Sequence, residues 1–381
     1  MPKIPKLKLL VLCAGDPHSE TTFSGSARGL IQALDRRGCV ARQENVLGQS
    51  DPFAQPTFLG RVFRKIDFFG LQSKYSVSPS CLAKNTRRAA ILAGQTSDFN
   101  ACLMYGTNFH PKLDVPMYCY FDATVAQVAK ARAWVYGARS LLKNKISIEY
   151  QKSVFESCTS TFPRSQYAAI SLIEDYGLPQ NKITVAGAGY NHNMIPPPHD
   201  AYSRKNILFV GVQFERKGGP FILEAFRIVR KVMPDASLTI VGCNPDINEP
   251  GVEIVGRIYK DNENGINCLL EYYRRASLFC IMSSFEPFGI VVVEAQNSYV
   301  PCVVPNKFAF TEMVIDGVTG VHLTAETAES LAQVMLDLLG DPQRLKVMGE
   351  AAHKFVQSEL TWDKAAERIE RRILSDLNET V

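Results

Sequence analysis

Short continuous apolar runs alternate along the chain with longer segments in which apolar and polar residues recur at helical spacing. Runs at 9–14, 102–105, 117–121, 158–162 and 183–186 have the length of buried strands. Segments at 24–37, 82–93, 124–142 and 165–176 have the length and pattern of amphipathic helices. Strands that are apolar throughout suit a parallel sheet covered on both faces, and alternation of strand and helix supplies the crossovers that such a sheet requires.

Near the midpoint the pattern stops. Asn191-His-Asn-Met-Ile-Pro196-Pro-Pro-His-Asp is polar and carries three consecutive prolines, which continue neither a helix nor a central strand. Beyond it the alternation restarts, with strands predicted at 207–210, 238–241, 252–255, 278–282 and 302–304 and helices at 220–232, 264–276 and 289–299. From about residue 324 the pattern is helical throughout. The reading is two doubly wound α/β domains, 1–195 and 204–358, with a terminal helix at 360–381. Open parallel sheets bind ligands beyond the carboxyl ends of their strands, so two of them are expected to face across a ligand cleft.

Composition narrows the classes. The 381 residues carry 42 Lys and Arg against 38 Asp and Glu, a net charge of +4, too weak a surplus for a general nucleic-acid binder. None of the ten cysteines forms a C-x-x-C pair or a Cys/His cluster with zinc spacing, so they read as reduced core residues of a cytoplasmic protein. The apolar start reads as a first buried strand rather than a leader peptide, since Gly15-Asp16-Pro17-His18 follows it in place of a small-residue cleavage site. No run approaches the roughly 18 apolar residues of a membrane span.

Two segments carry candidate chemistry. In Ser283-Ser-Phe-Glu286-Pro-Phe-Gly289-Ile290-Val-Val-Val-Glu294, a strand gives way to a turn and then to a helix. Main-chain N–H groups of Phe288, Gly289 and Ile290 would then stand at the positive end of a helix, suited to phosphate. Glu286 and Glu294 would repel phosphate alone, but they suit a ligand that also offers pairs of hydroxyls, such as a sugar and a ribose. In Ile207-Leu-Phe-Val210-Gly211-Val-Gln-Phe-Glu215-Arg216-Lys217-Gly218-Gly219, two cations precede a helix, where they oppose its dipole unless an anion compensates them. Each segment has a plainer reading, an acidic helix start in one case and a solvated basic turn in the other.

Taken with Thr311-Glu312-Met-Val-Ile-Asp316-Gly317-Val-Thr319-Gly320, these segments resemble, in order and spacing from 207 to 323, the C-terminal domain of retaining GT-B glycosyltransferases of family 4. Phe23-Ser-Gly25, Phe162-Pro-Arg-Ser165 and Trp362-Asp363 resemble the family's N-terminal domain and terminal helix more loosely. The resemblance implies the GT-B fold, with Rossmann-like domains and a last helix crossing back to the first of them. It implies a hexosyltransferase taking a nucleotide-diphosphate sugar, UDP- or GDP-linked, as co-substrate, with neither metal nor other cofactor. Lys217 and Arg216 would meet the charge of the diphosphate leaving group, with Gly211 and Gly218 of the same segment binding the donor. Amides at Phe288, Gly289 and Ile290 would contact phosphate and sugar. Glu286 would hold the transferred sugar, Glu294 would hold the ribose, and Gly25 would approach the diphosphate from the other domain.

Two positions depart from the family pattern. Val212 stands where many members have an arginine, and Asp122 where many have a histidine. Asp122 is either a substitute at the donor sugar or a helix-start residue ahead of Thr124. The acceptor would be a saccharide, a lipid or a small molecule. Basic and aromatic residues interleave at 58–69 and 130–145, which suits either an anionic membrane face or ordinary amphipathic helices. The rival reading is a nucleotide-sugar or carbohydrate binder without catalysis. An inverting enzyme fits less well, because it would lack the paired-carboxylate helix.

Overall fold

The computed structural model describes residues 6–19, 22–47, 79–95, 98–136, 145–191, 196–260 and 262–379. It divides into two compact units, Met1–Gly189 with Trp362–Val381, and Tyr190–Thr361. The stretch at 58–69 and residues 137–144 of the second basic stretch lie outside the described residues.

In the first unit, strands β1 (Leu9–Cys13), β2 (Val40–Asn45), β3 (Ala101–Tyr105), β4 (Met117–Phe121) and β5 (Ser160–Pro163) form a sheet in the order β2-β1-β3-β4-β5. Every pairing is parallel. This is the flavodoxin-like order, whose switch point lies between β1 and β3. Strands β1, β3 and β4 are buried along their whole length, as their unbroken apolar runs require.

The second unit holds β6 (Asn206–Val210), β7 (Ser237–Val241), β8 (Val252–Gly256), β9 (Leu278–Cys280), β10 (Cys302–Pro305) and β11 (Gly320–Leu323). They pair in parallel in the order β11-β10-β9-β6-β7-β8. Counted within the unit this is 3-2-1-4-5-6, the Rossmann order, with its switch point between β6 and β9. The core on one face joins Phe209, Ile222, Phe226, Leu238, Leu331 and Met335. Each unit is therefore a parallel-sheet, Rossmann-like fold, as the alternation of apolar runs predicts.

The terminal helix Trp362–Glu379 belongs to the first unit. It lies on the helix Ser26–Arg36 so closely that a Cβ on Gly29 would stand 2.3 Å from Trp362 Nε1. Arg36 pairs with Asp363 at 2.8 Å, and Ser160 Oγ donates to the buried Asp376 at 2.9 Å.

Two local expectations need correction, and two elements were not expected. The run at 183–186 is not a strand in its own right. It makes one bridge, Ile183 to Thr161, and two hydrogen bonds beside β5 before Gly187 turns it away at φ 79°. The strand β2 and the helix Lys145–Ser157 carry no apolar run that marks them. The helix buries Ser147 and Gln151 on its inner face alongside Val154 and Phe155. All ten cysteines are unpaired, and most are buried, but Cys81 and Cys243 are only half-buried and Cys268 is exposed. Among the described residues, no helix is long and apolar enough to cross a membrane.

Candidate active site

The switch point of the second sheet is flanked by the loops that follow β6 and β9, and these are the two segments singled out by their charges. Backbone bonds join them: Met282 N donates to Lys217 O at 3.1 Å, and Ser284 N to Arg216 O at 2.9 Å. Gly218 makes this approach possible. It adopts φ 77°, and a Cβ there would lie 2.2 Å from Met282 O. Gly211 ends β6 beneath the Lys217 stem, where a Cβ would meet Cγ at 3.1 Å.

The side chains converge in the same way. Lys217 Nζ donates to Glu286 Oε2, which also accepts from Ser283 Oγ at 3.1 Å. Arg216 Nη1 lies 3.9 Å from the same oxygen, while it donates to Phe285 O at 2.7 Å and its Nε donates to Gln213. All three charged groups are buried. Burial acts to raise the Glu286 carboxyl pKa, but Lys217, Arg216 and Ser283 outweigh it and hold the group below its ordinary value. For Lys217, burial and the neighbouring guanidinium prevail over Glu286 and bring the ammonium below its ordinary value. Two cations around one carboxylate leave a surplus positive charge in a low-dielectric pocket, which favours an anionic ligand.

Gly289 precedes the helix Ile290–Asn297 in the left-handed region, φ 94°, and no side chain caps that helix start. A Cβ on Gly289 would meet Met313 Cε at 3.0 Å and Phe310 Cε1 at 3.1 Å. The N–H groups at Phe288, Gly289 and Ile290 thus stand at a helix start beside Glu286, whose Cγ lies 3.3 Å from where a Gly289 Cβ would be. Glu294, further along the helix, has no exposed surface. Its Oε1 accepts from Lys260 Nζ at 2.8 Å and its Oε2 from Tyr273 O–H at 3.3 Å. Val212, where the family pattern has arginine, is exposed.

In the first unit the switch point lies between β1 and β3, and its loops are shaped differently. Phe23, Ser24 and Gly25 all have positive φ, at 49°, 60° and 85°, and Gly25 precedes the helix Ser26–Arg36. The Phe23 ring lies 4.9 Å from that of Tyr105. Asp122 follows β4. It does not cap the next helix, because Thr124 and Gln127 exchange the capping bonds: Gln127 N to Thr124 Oγ1 at 3.1 Å, and Thr124 N to Gln127 Oε1 at 3.0 Å. The Asp122 carboxylate instead lies 3.9 Å from Arg164 Nη1. Arg164 is buried. It donates to Ser26 Oγ at 2.9 Å and to Tyr105 Oη, and it stands over the Tyr105 and Tyr120 rings.

The structure therefore brings Lys217, Arg216 and Glu286 together beside Gly211, Gly218 and Gly289, with Glu294 on the same helix. Asp122 and Gly25 lie at the carboxyl edge of the first sheet. Sequence reasoning missed Lys260 and gave Arg164 no role. Lys260 lies in the loop that follows β8, at the carboxyl edge of the same sheet, and no local pattern in the sequence singles it out.

Residues 195–355 match the family model for glycosyl transferases group 1. Mannosylfructose-phosphate synthase of Agrobacterium fabrum is 25% identical over 252 residues, 59% of this chain and 55% of that protein. The chain thus spans about half the length of that curated relative. Sucrose-phosphate synthase of Thermosynechococcus elongatus superposes with a TM-score of 0.69 at 16% identity, covering 99% of this chain and 100% of that one. HepE of Anabaena, solved with UDP-glucose, superposes with a TM-score of 0.64 at 13% identity over 97% of this chain and 100% of its own. The structural likenesses establish the GT-B fold, and with the family match over the second unit they support a glycosyltransferase.

Proposed function

We propose that this chain is a hexosyltransferase that takes its sugar from a nucleotide-diphosphate donor held by the second unit. The observation that carries the proposal is the convergence of Lys217, Arg216 and the Gly289 helix start at the Rossmann switch point of that unit. When the bond between sugar and phosphate breaks, negative charge grows on the departing diphosphate. Buried cations and helix-start amides already in place stabilise that charge without reorganising, each such donor being worth about 3–4 kcal/mol in the transition state. These groups suffice for leaving-group stabilisation, which makes the reaction independent of metal.

Glu286 is a weak base, because Lys217 and Ser283 bond to its Oε2 and, with Arg216, hold its pKa below the ordinary value. It orients sugar hydroxyls and fixes Lys217. In keeping with the resemblance to retaining enzymes, the acceptor hydroxyl enters on the leaving-group face, a departing phosphate oxygen takes its proton, and configuration at the sugar carbon is retained. UDP- and GDP-sugars are the first donors to test, UDP-glucose foremost, given its presence in the HepE structure. The acceptor, a saccharide, lipid or small molecule, falls to the first unit, where Asp122 and Arg164 line the sheet edge.

The test is donor hydrolysis with UDP-, GDP- and ADP-glucose and GDP-mannose, with and without chelator. At least one donor should be cleaved slowly, chelator should leave the rate unchanged, and Lys217→Ala should reduce it at least about tenfold. Nucleotide-sugar binding with no cleavage and no transfer would favour a non-catalytic binder.

A further inference from the structure

The reading under Proposed function gives Glu294 to the ribose of the donor, yet in this structure Glu294 has no exposed surface and both of its oxygens are occupied. A diol cannot reach that carboxylate unless a partner leaves. Tyr273 is itself fully buried in the helix Glu263–Arg275, and its side chain packs against Phe279 with ring centroids 6.3 Å apart. Moving it would open the core. Lys260 differs: its side chain is 29% exposed and comes from the loop after β8, an edge strand. The preceding Tyr259 is 62% exposed, with the Arg257 guanidinium 5.0 Å from its ring. A flexible stem on an exposed loop leaves at small cost to the fold, and a buried carboxylate stays in place once hydroxyl donors replace the ammonium.

We infer that Lys260 is a displaceable counter-ion for Glu294: its ammonium holds the carboxylate in the ligand-free protein, and the ribose 2′- and 3′-hydroxyls take its place. This rests on the nucleotide-sugar reading of the site and deepens it. Lys260 is then the residue that sets discrimination between ribose and deoxyribose, because the diol must compete with it. A lysine that only held the loop would affect both sugars equally.

The experiment is isothermal titration of wild type and Lys260→Met with UDP, GDP and ADP and with their 2′-deoxy counterparts. Removing the competitor should raise the ratio of ribonucleotide to deoxyribonucleotide affinity by about tenfold, the value of one regained charged hydrogen bond. The thermal transition of ligand-free Lys260→Met should fall, because Glu294 loses its counter-ion. If that variant does not fold, Lys260→Gln keeps a neutral donor, and the ratio should move in the same direction by less. A nucleotide that binds with an unchanged or reduced ratio in the folded variant overturns the inference and leaves the site reading intact. Failure of every nucleotide to bind wild type overturns the site reading, and this inference with it.

Discussion

The two sheets present their switch points differently. The second unit places ionised groups there and buries them: Lys217, Arg216 and Glu286 lie within two loops joined by backbone bonds. The first unit relies on left-handed backbone at Phe23, Ser24 and Gly25, on phenols at Tyr105 and Tyr120, and on one buried arginine whose charge is shared among a carboxylate, two hydroxyls and two rings. Both units share the parallel doubly wound plan, so the fold alone does not decide which edge takes an anion. Among the described residues the surplus buried charge belongs to the second unit, which is the ground for placing the diphosphate there in the proposed function. Among the described residues of the first unit's edge, Arg164 is offset by Asp122, which suits the hydroxylated acceptor proposed for it.

The largest expected effect strikes the second unit alone. Glu286→Gln strands two buried cations and should lower stability by about 3–5 kcal/mol, measured by denaturant unfolding. The Glu286 pKa is depressed in the folded state, so its contribution is present in full above the unfolded value of about 4.3 and drains away as pH falls through the folded value. The stability gap between wild type and Glu286→Gln should therefore close only in acid below the ordinary glutamate range. A gap that closed near neutral pH would show that the pair is not ionised as described.

Gly218→Ala comes next, at about 1–3 kcal/mol, because its Cβ would collide with the Met282 carbonyl that borders the loop. It should also weaken nucleotide binding by shifting Lys217. Undiminished binding in the folded variant would mean that the loop does not position the cation. In the first unit, Thr124→Ala removes half of a capping box and should cost about 1 kcal/mol while leaving nucleotide affinity unchanged. Asp122→Asn is the smallest perturbation. It should alter nucleoside diphosphate affinity by less than about 0.5 kcal/mol, yet lower transfer to acceptor. A large loss of nucleotide affinity would erase the contrast between the edges.

Much of the fold was legible because buried parallel strands are continuous apolar runs, as in Leu9–Cys13, Met117–Phe121 and Ser237–Val241. The strand Val40–Asn45 was not, because it is a half-buried edge strand carrying Arg42, Gln43 and Glu44. The helix Lys145–Ser157 was hidden for a different reason. Its inner face buries Gln151, which the Val125 N–H, Thr107 and Tyr176 satisfy from elsewhere in the chain, and no local pattern reveals such a partner. At the site, Arg216 and Lys217 stood out because cations at a predicted helix start oppose its dipole, and Glu286 because a carboxylate beside a helix-start cradle would repel phosphate alone. The bond between Lys260 and Glu294 joins positions far apart in sequence and leaves no periodic trace.

The most direct test of the account is isothermal titration of wild type and Lys217→Ala with a panel of UDP-, GDP- and ADP-sugars, circular dichroism confirming that the variant is folded. The account predicts that at least one nucleotide sugar binds wild type and that Lys217→Ala weakens it at least about tenfold, or 1.4 kcal/mol. Equal affinity in the two proteins, or no binding to wild type, would contradict it.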